Sequence, residues 1–293
     1  MKTKEFKKLY PGETLALFPI TENNDNFVFK STDSSICLEI LMKDPYFFRH
    51  MVSESMRSPG TVVDLGGHVG SFSVPLSIDF PGSTFYVVEQ DEKNYKALLL
   101  NSDLSPNNIT LYHTIIKGSR DVMSVELDQR QSGGHKVIFK DEDSLDTKET
   151  RAGMTLKELM EINNIDQINF LKMDIEGSEY DVLEKAYEDG IMKNIDIISM
   201  EYHVNPTRHR EFGTIYKYLE SYDSILVHRL TKRIADDPGR GGYHILAYRT
   251  KKEIGDINLE CLGYEEKVKH FKELRNVAST GLSLKCIGPE DDS

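Results

Sequence analysis

A three-layer α/β architecture built on a mostly parallel sheet is predicted by three features of the chain. From Thr61 onward, short β-branched runs alternate with amphipathic stretches that carry helix start and stop signals. The first of these runs ends in a tight glycine turn, Asp64-Leu65-Gly66-Gly67-His68-Val69-Gly70, that leads into the next helix. Two β-rich runs near the C-terminal end flank a loop containing Pro and Gly, which adds an antiparallel pair to the sheet.

The elements follow in order. Residues 1–58 read as an N-terminal cap or lid, with extended stretches around Leu15, Phe27 and Leu38 and a helix over 45–56. The parallel strands are expected at 61–65, 84–90, 109–116, 168–175 and 196–203. Between them, Asp91 is placed as an N-cap. A helix over 155–163 opens with Thr155 and Glu158 in capping-box spacing, and one over 178–189 stops at Gly190. Residues 122–127 and 136–139 flank Ser132-Gly133-Gly134, a β-hairpin inserted into a crossover. The closing antiparallel strands are 224–230 and 243–249, and a polar tail carries a helix over 264–276. The chain therefore divides into a cap (1–58), a main domain (59–250) and a helical tail (251–293).

Charge and composition narrow the function. The formal net charge is −12, which disfavours a nucleic-acid partner, since phosphates are neutralised by clustered Lys and Arg. No window approaches the roughly 20 apolar residues of a membrane span, so a membrane role would be peripheral. The first ten residues, MKTKEFKKLY, are charged, but no apolar run follows to make a signal peptide. Cys37, Cys261 and Cys286 are odd in number and widely spaced, as expected in a reducing cytoplasm. The sequence does not indicate an oligomeric state.

The glycine turn is the first candidate site. Glycines allow close backbone approach to a ligand, but a glycine turn alone is a weak signal. Asp64 sharpens it. A carboxylate at that strand end repels a dinucleotide pyrophosphate and attracts an amino group, which favours S-adenosylmethionine, with its ammonium and sulfonium, over a nicotinamide cofactor. Glu89 ends the next strand, 25 residues on, where a carboxylate accepts hydrogen bonds from ribose hydroxyls.

The second candidate is the charged strand Phe170-Leu171-Lys172-Met173-Asp174-Ile175-Glu176-Gly177-Ser178-Glu179. If extended geometry persists, Lys172, Asp174 and Glu176 share one face of a central strand, where charge is expensive without a purpose. The alternative account is a buried Lys172 ion pair that joins strands, and Glu179 reads as a first-turn helix acid. The next strand ends in Glu201-Tyr202-His203, which brings Glu201 and His203 to the same sheet edge, where α/β sheets bind ligands. His113, His228 and His244 read as ordinary strand residues.

These residues together resemble the FkbM-type family of S-adenosylmethionine-dependent methyltransferases. The likeness covers roughly 61–203: the DxGxxxG turn, Glu89, Asn101, the Gly-containing hairpin, Thr155-Leu156, and above all KMDIEGSEYDVL, close to the family's K-I-D-V-E-G-A-E pattern. It implies a class I methyltransferase (Rossmann-like) fold whose seven-stranded sheet is mostly parallel with one antiparallel strand, and O-methylation of a sugar or other small metabolite. His68 departs from it, standing where the family often has Asn, so it is a candidate to retune methionine contacts or take part in catalysis.

The expected cofactor site comprises Asp64, Gly66, Gly67, His68, Gly70, Ser71, Glu89, Gln90, Lys117 and Asp174. His203 is the expected general base, neutral at cellular pH, with Glu201 orienting its ring or stabilising its charge and Asp174 beside the cofactor's methionine end or orienting the acceptor hydroxyl. A divalent metal such as magnesium, held by Asp174, Glu176 and Glu201, is the alternative use of the same acids. A nicotinamide oxidoreductase and a catalytically silent protein on the same fold are the rival functions. Arg208 and Arg210 are weaker candidates for holding an anionic acceptor.

Overall fold

In the computed structural model, the described residues are 2–21, 25–51, 60–105, 109–118, 123–126, 136–139, 153–203, 212–229, 242–249 and 285–287. Through the first part of the chain the elements are α1 (Lys2–Leu9), β1 (Leu15–Pro19), β2 (Asn26–Lys30), α2 (Ser34–Lys43), α3 (Phe48–Met51), β3 (Thr61–Leu65), α4 (Ser73–Asp79), β4 (Thr84–Glu89), α5 (Glu92–Ser102) and β5 (Ile109–His113). Then come β6 (Ile115–Ile116), β7 (Met123–Glu126), β8 (Lys136–Phe139), β9 (Gly153–Met154), α6 (Leu156–Ile162), β10 (Ile168–Met173), α7 (Glu179–Glu188), β11 (Ile195–His203), α8 (Phe212–Leu219), β12 (Ser224–Arg229), β13 (Gly242–Tyr248) and β14 (Lys285–Ile287).

The main sheet has seven strands in the order β12-β13-β11-β10-β3-β4-β5. β13 alone runs opposite to the other six strands. Alternation along the central strands explains the layers. Val62, Phe85 and Phe170 face one side, against α1 to α5, whereas Val63, Leu171 and Ile198 face the other, against α6 to α8. The N-terminal elements share the first of these cores: Phe6, Phe27, Cys37 and Phe48 are fully buried within it.

Local signals are realised where the chemistry is local. Thr155 and Glu158 form the reciprocal capping box, Asp91 accepts the Asn94 amide, and Gly190 ends α7 with φ +71°. The hairpin β7–β8 pairs antiparallel, and so do β12 and β13. Three expectations are corrected. Leu38 lies in α2, because Cys37, Ile40 and Leu41 form an i, i+3, i+4 face packed on the core. The helix expected from 45 begins at Phe48 instead, since Asp44 and Phe47 adopt left-handed φ and the Asp44 carboxylate accepts the Phe48 and Arg49 amides. The strand expected over 109–116 breaks at Thr114, and its second part, β6, pairs with β9. The tail helix over 264–276, and Arg208 and Arg210, lie outside the described residues. Among the described residues no helix is long and apolar enough to cross a membrane.

Candidate active site

The carboxyl ends of β3, β4, β10 and β11 hold most of the residues expected to form the site. After β3 the chain turns at Gly66, whose φ is +83° and whose added Cβ would stand 1.8 Å from the Asp174 carbonyl oxygen, so no side chain fits there. The Gly66 and Gly67 amides both donate to the Val88 carbonyl, at 3.0 and 2.9 Å, and the Asp174 amide donates to the Leu65 carbonyl at 3.0 Å. The turn is thereby tied to both neighbouring strands. Glu89 clamps its far side: one carboxylate oxygen accepts the His68 amide at 2.8 Å and the other the Asp91 amide at 2.7 Å. Burial pushes the Glu89 carboxyl up to about 7, although these two amides pull the other way. His68 has φ +50°, and burial holds its imidazole down at about 4, so it stays neutral at pH 7.

Asp64 is placed differently from the sequence expectation of direct contact with an amino group. It is 1% exposed, with Lys172 Nζ 3.0 Å from one carboxylate oxygen and the Ser73 hydroxyl donating to the other at 2.6 Å. The pairing follows from register, since Asp64 and Lys172 are partners across parallel β3 and β10. Burial opposes the charge on Lys172, and the Asp64 and Asp174 carboxylates more than offset it. Lys172 Nζ also donates to the Gly66 carbonyl at 2.6 Å. Asp64 thus acts on the turn through Lys172, which makes the strand-joining ion pair part of the site's frame.

The remaining expected cofactor residues lie in several places. Ser71 is buried and hydrogen-bonds the Cys37 thiol of α2. Gly70, with φ +92°, is packed against Leu98 and Val74, and Gln90 follows β4 directly. Lys117 lies just past β6, with its amide on the Met154 carbonyl and its stem beside Gly153.

A second cluster gathers Asp174, Glu176, Glu179, Glu201 and His203. Extended geometry ends at Met173, and Glu176 adopts φ +54° in the turn before α7, so alternation does not place it. It reaches the cluster nonetheless, with a carboxylate oxygen 3.6 Å from His203 Nε2. Glu179, not Glu201, orients the imidazole. It is fully buried, accepts the Ile175 and Gly177 amides at 3.1 Å, and lies 3.0 Å from His203 Nδ1. That leaves Nε2 facing Glu176 and, at 3.7 Å, Glu201. No local pattern marks Glu179 for this role, because its first-turn position is satisfied equally well by the helix dipole.

The electrostatics correct the expectation of a neutral His203. Burial works against its charge, but Glu179, Glu176 and Asp174 hold its pKa well above 6.5. Burial lifts Glu176 to about 8 and, together with Asp174, Glu201 to about 7. Asp174 goes the other way: Lys172, His203 and a hydrogen bond from Tyr46 outweigh burial and keep it ionised. Tyr46, like Glu179, reaches this cluster without any signal in the sequence. Among the described residues, Asp174, Glu176 and His203 offer ligand atoms within 4.8 Å of one another.

Residues 64–226 match the family described as the Methyltransferase FkbM domain, over half of the chain. The chain belongs to this family. The FkbM domain so placed runs from the end of β3 into β12, holds both clusters, and leaves Tyr46 outside it. Methyltransferase 1 of Beauveria bassiana (strain ARSEF 2860) is 21% identical over 206 residues, spanning 64% of this chain and 82% of that protein. Among solved structures, M. jannaschii TYW2 in complex with AdoMet is 15% identical, covering 82% of this chain and 89% of its own, with a TM-score of 0.40. Magnesium protoporphyrin IX methyltransferase from Synechocystis PCC 6803 with bound SAM is 14% identical, covering 74% and 82%, also with a TM-score of 0.40. The seven-stranded, mostly parallel sheet with one antiparallel strand is the one expected of the class I methyltransferase fold.

Proposed function

We propose that this FkbM-family methyltransferase uses S-adenosylmethionine to methylate a hydroxyl group of a small metabolite or saccharide. The observation that carries the reading is the Glu179–His203 pair, in which a fully buried carboxylate holds Nδ1 at 3.0 Å and leaves Nε2 facing Glu176 and Glu201. Glu89 is suited to accept the ribose hydroxyls, the Gly66 to Gly70 backbone to line the cofactor, and Asp174 to receive its ammonium group. When bound, the cofactor supplies a methyl carbon on a sulfonium, a leaving group that is already activated. The protein's share is to bring the acceptor oxygen to within about 3 to 3.5 Å of that carbon and to take its proton. His203 Nε2 receives the proton, and Glu179 stabilises the imidazolium that results, in the manner of a base with a buried orienting carboxylate.

The high pKa of His203 gives this mechanism a signature. In the ligand-free protein most imidazole is protonated near neutrality, so the competent form grows as pH rises. In His203→Ala, affinity for S-adenosylhomocysteine, the product of the reaction, should be unchanged, and turnover with S-adenosylmethionine should fall by about 10²-fold or more. Wild-type turnover in that variant would remove His203 from the mechanism, and a protein that binds S-adenosylhomocysteine but methylates no hydroxylated compound would point to a silent member of the fold.

A divalent ion is a second reading, favoured by the spacing of Asp174, Glu176 and His203. It replaces Glu201 of the sequence expectation with an imidazole nitrogen, and two carboxylates with one histidine suit manganese or iron better than magnesium. Such an ion would lower the acceptor hydroxyl's pKa. Titration of chelator-treated protein with Mn²⁺, followed by electron paramagnetic resonance, tests this reading; absence of binding ends it. The sparse cysteines favour a reducing, cytoplasmic setting.

A further inference from the structure

We propose that Tyr46, supplied by the N-terminal segment outside the FkbM domain, is a positioning residue that fixes the Asp174 carboxylate to receive the cofactor's ammonium group. The inference rests on the cofactor reading above and adds to it a residue lying 128 positions from the carboxylate it serves.

Four observations converge on Tyr46. Its hydroxyl donates to Asp174 Oδ2 at 2.6 Å, a charge-assisted hydrogen bond. The ring is held from three sides: edge-on against Phe72 with centroids 5.5 Å apart, 5.2 Å from Lys172 Nζ, and 6.1 Å from the His244 ring. The backbone is held as well, since the Ser199 hydroxyl donates to the Tyr46 carbonyl at 2.8 Å. Finally, the loop presenting it is built for one conformation, with left-handed Asp44 and Phe47 on either side and the Asp44 carboxylate capping the short α3.

This arrangement has a chemical consequence. Burial and the Asp174 and Glu201 carboxylates hold the phenol pKa well above 10, so Tyr46 is a fixed donor and never the base. One oxygen of Asp174 is therefore always occupied, which fixes the direction in which the other oxygen presents its lone pairs. The Asp174 amide donates to the Leu65 carbonyl and its carbonyl oxygen lies against Gly66, so the carboxylate stands on a residue whose backbone is tied to the glycine turn. A cationic group seated at that turn is the partner such a carboxylate suits, and S-adenosylhomocysteine carries one.

The test is a double-mutant cycle read by calorimetric titration with S-adenosylhomocysteine. Tyr46→Phe keeps the packed ring and removes only the donor, and should weaken binding about 5- to 10-fold. Asp174→Asn should weaken it more, and the double variant should bind no worse than Asp174→Asn alone, within twofold. Ser199→Ala loosens the Tyr46 backbone but keeps its hydroxyl, and should weaken binding by less than Tyr46→Phe does. Losses that multiply in the double variant, wild-type affinity in Tyr46→Phe, or an equal loss in Ser199→Ala would each overturn the proposal. Failure of the wild-type protein to bind S-adenosylhomocysteine at all would instead strike the cofactor reading on which it rests.

Discussion

Cofactor affinity should fall as the solution is acidified through neutrality, and the cause should be Glu89. The carboxylate must be ionised to accept ribose hydroxyls, yet burial holds its pKa near 7 rather than 4.5. Below that value each pH unit removes about tenfold of the ionised form, roughly 1.4 kcal/mol. Between pH 7.5 and 5.5 the ionised fraction drops roughly twentyfold, and the dissociation constant for S-adenosylhomocysteine should rise by about that factor. The sign on stability is opposite. A carboxyl whose pKa is raised in the folded state binds its proton more tightly there, so its contribution is full below about 4.5 and is lost as pH rises to about 7, roughly 3 kcal/mol in all. Glu89→Gln isolates the group. Because both oxygens accept backbone amides, the introduced amide must face one of them as donor against donor, costing about 1–3 kcal/mol. Its affinity should be about 10- to 100-fold weaker and its pH dependence flat. Calorimetry at both pH values, in matched ionic strength, reads all of this. A wild-type dissociation constant that does not move would refute the reasoning, and a slope that survives in Glu89→Gln would refute it and point to Glu201 or Glu176 instead.

Further outcomes follow from the same geometry. The wild-type turnover profile should climb with pH across the neutral range, since His203 must lose its proton to act, and should be absent in His203→Ala at any pH in a methyl-transfer assay. Glu179→Gln removes the largest charge holding that proton, so the acid limb should shift to lower pH while maximal turnover falls; an unshifted limb would exclude Glu179 as the orienting group. Gly66→Ala forces a Cβ into the Asp174 carbonyl at a left-handed φ and should lower stability by about 2 kcal/mol or more, measured by denaturant titration.

What was legible in the sequence depended on range. The capping box at Thr155 and Glu158, the N-cap at Asp91 and the stop at Gly190 act over a few residues, and each is formed as read. The sheet was legible because short β-branched runs alternate with capped amphipathic stretches from Thr61 onward, the pattern of parallel strands covered by helices. Readings that needed a partner from elsewhere were less secure. Asp64 looked like a ligand because its strand says nothing of Lys172, 108 residues later, which the β3–β10 register sets beside it. Glu201 was preferred to Glu179 on strand alternation, but the turn at Glu176 and Gly177 folds α7 back so that its first acid meets His203. Tyr46 could not be found by any spacing rule, because the loop that delivers it is defined by Asp44 capping and by contacts with Ser199 and Phe72.

The most direct test of the central claim is parallel calorimetric titration of the protein with S-adenosylhomocysteine and with NAD⁺, repeated on Glu89→Ala. The account predicts that the wild type binds the first and not the second, and that the variant binds much more weakly. Binding of NAD⁺ alone, or equal binding of S-adenosylhomocysteine by both proteins, would contradict it.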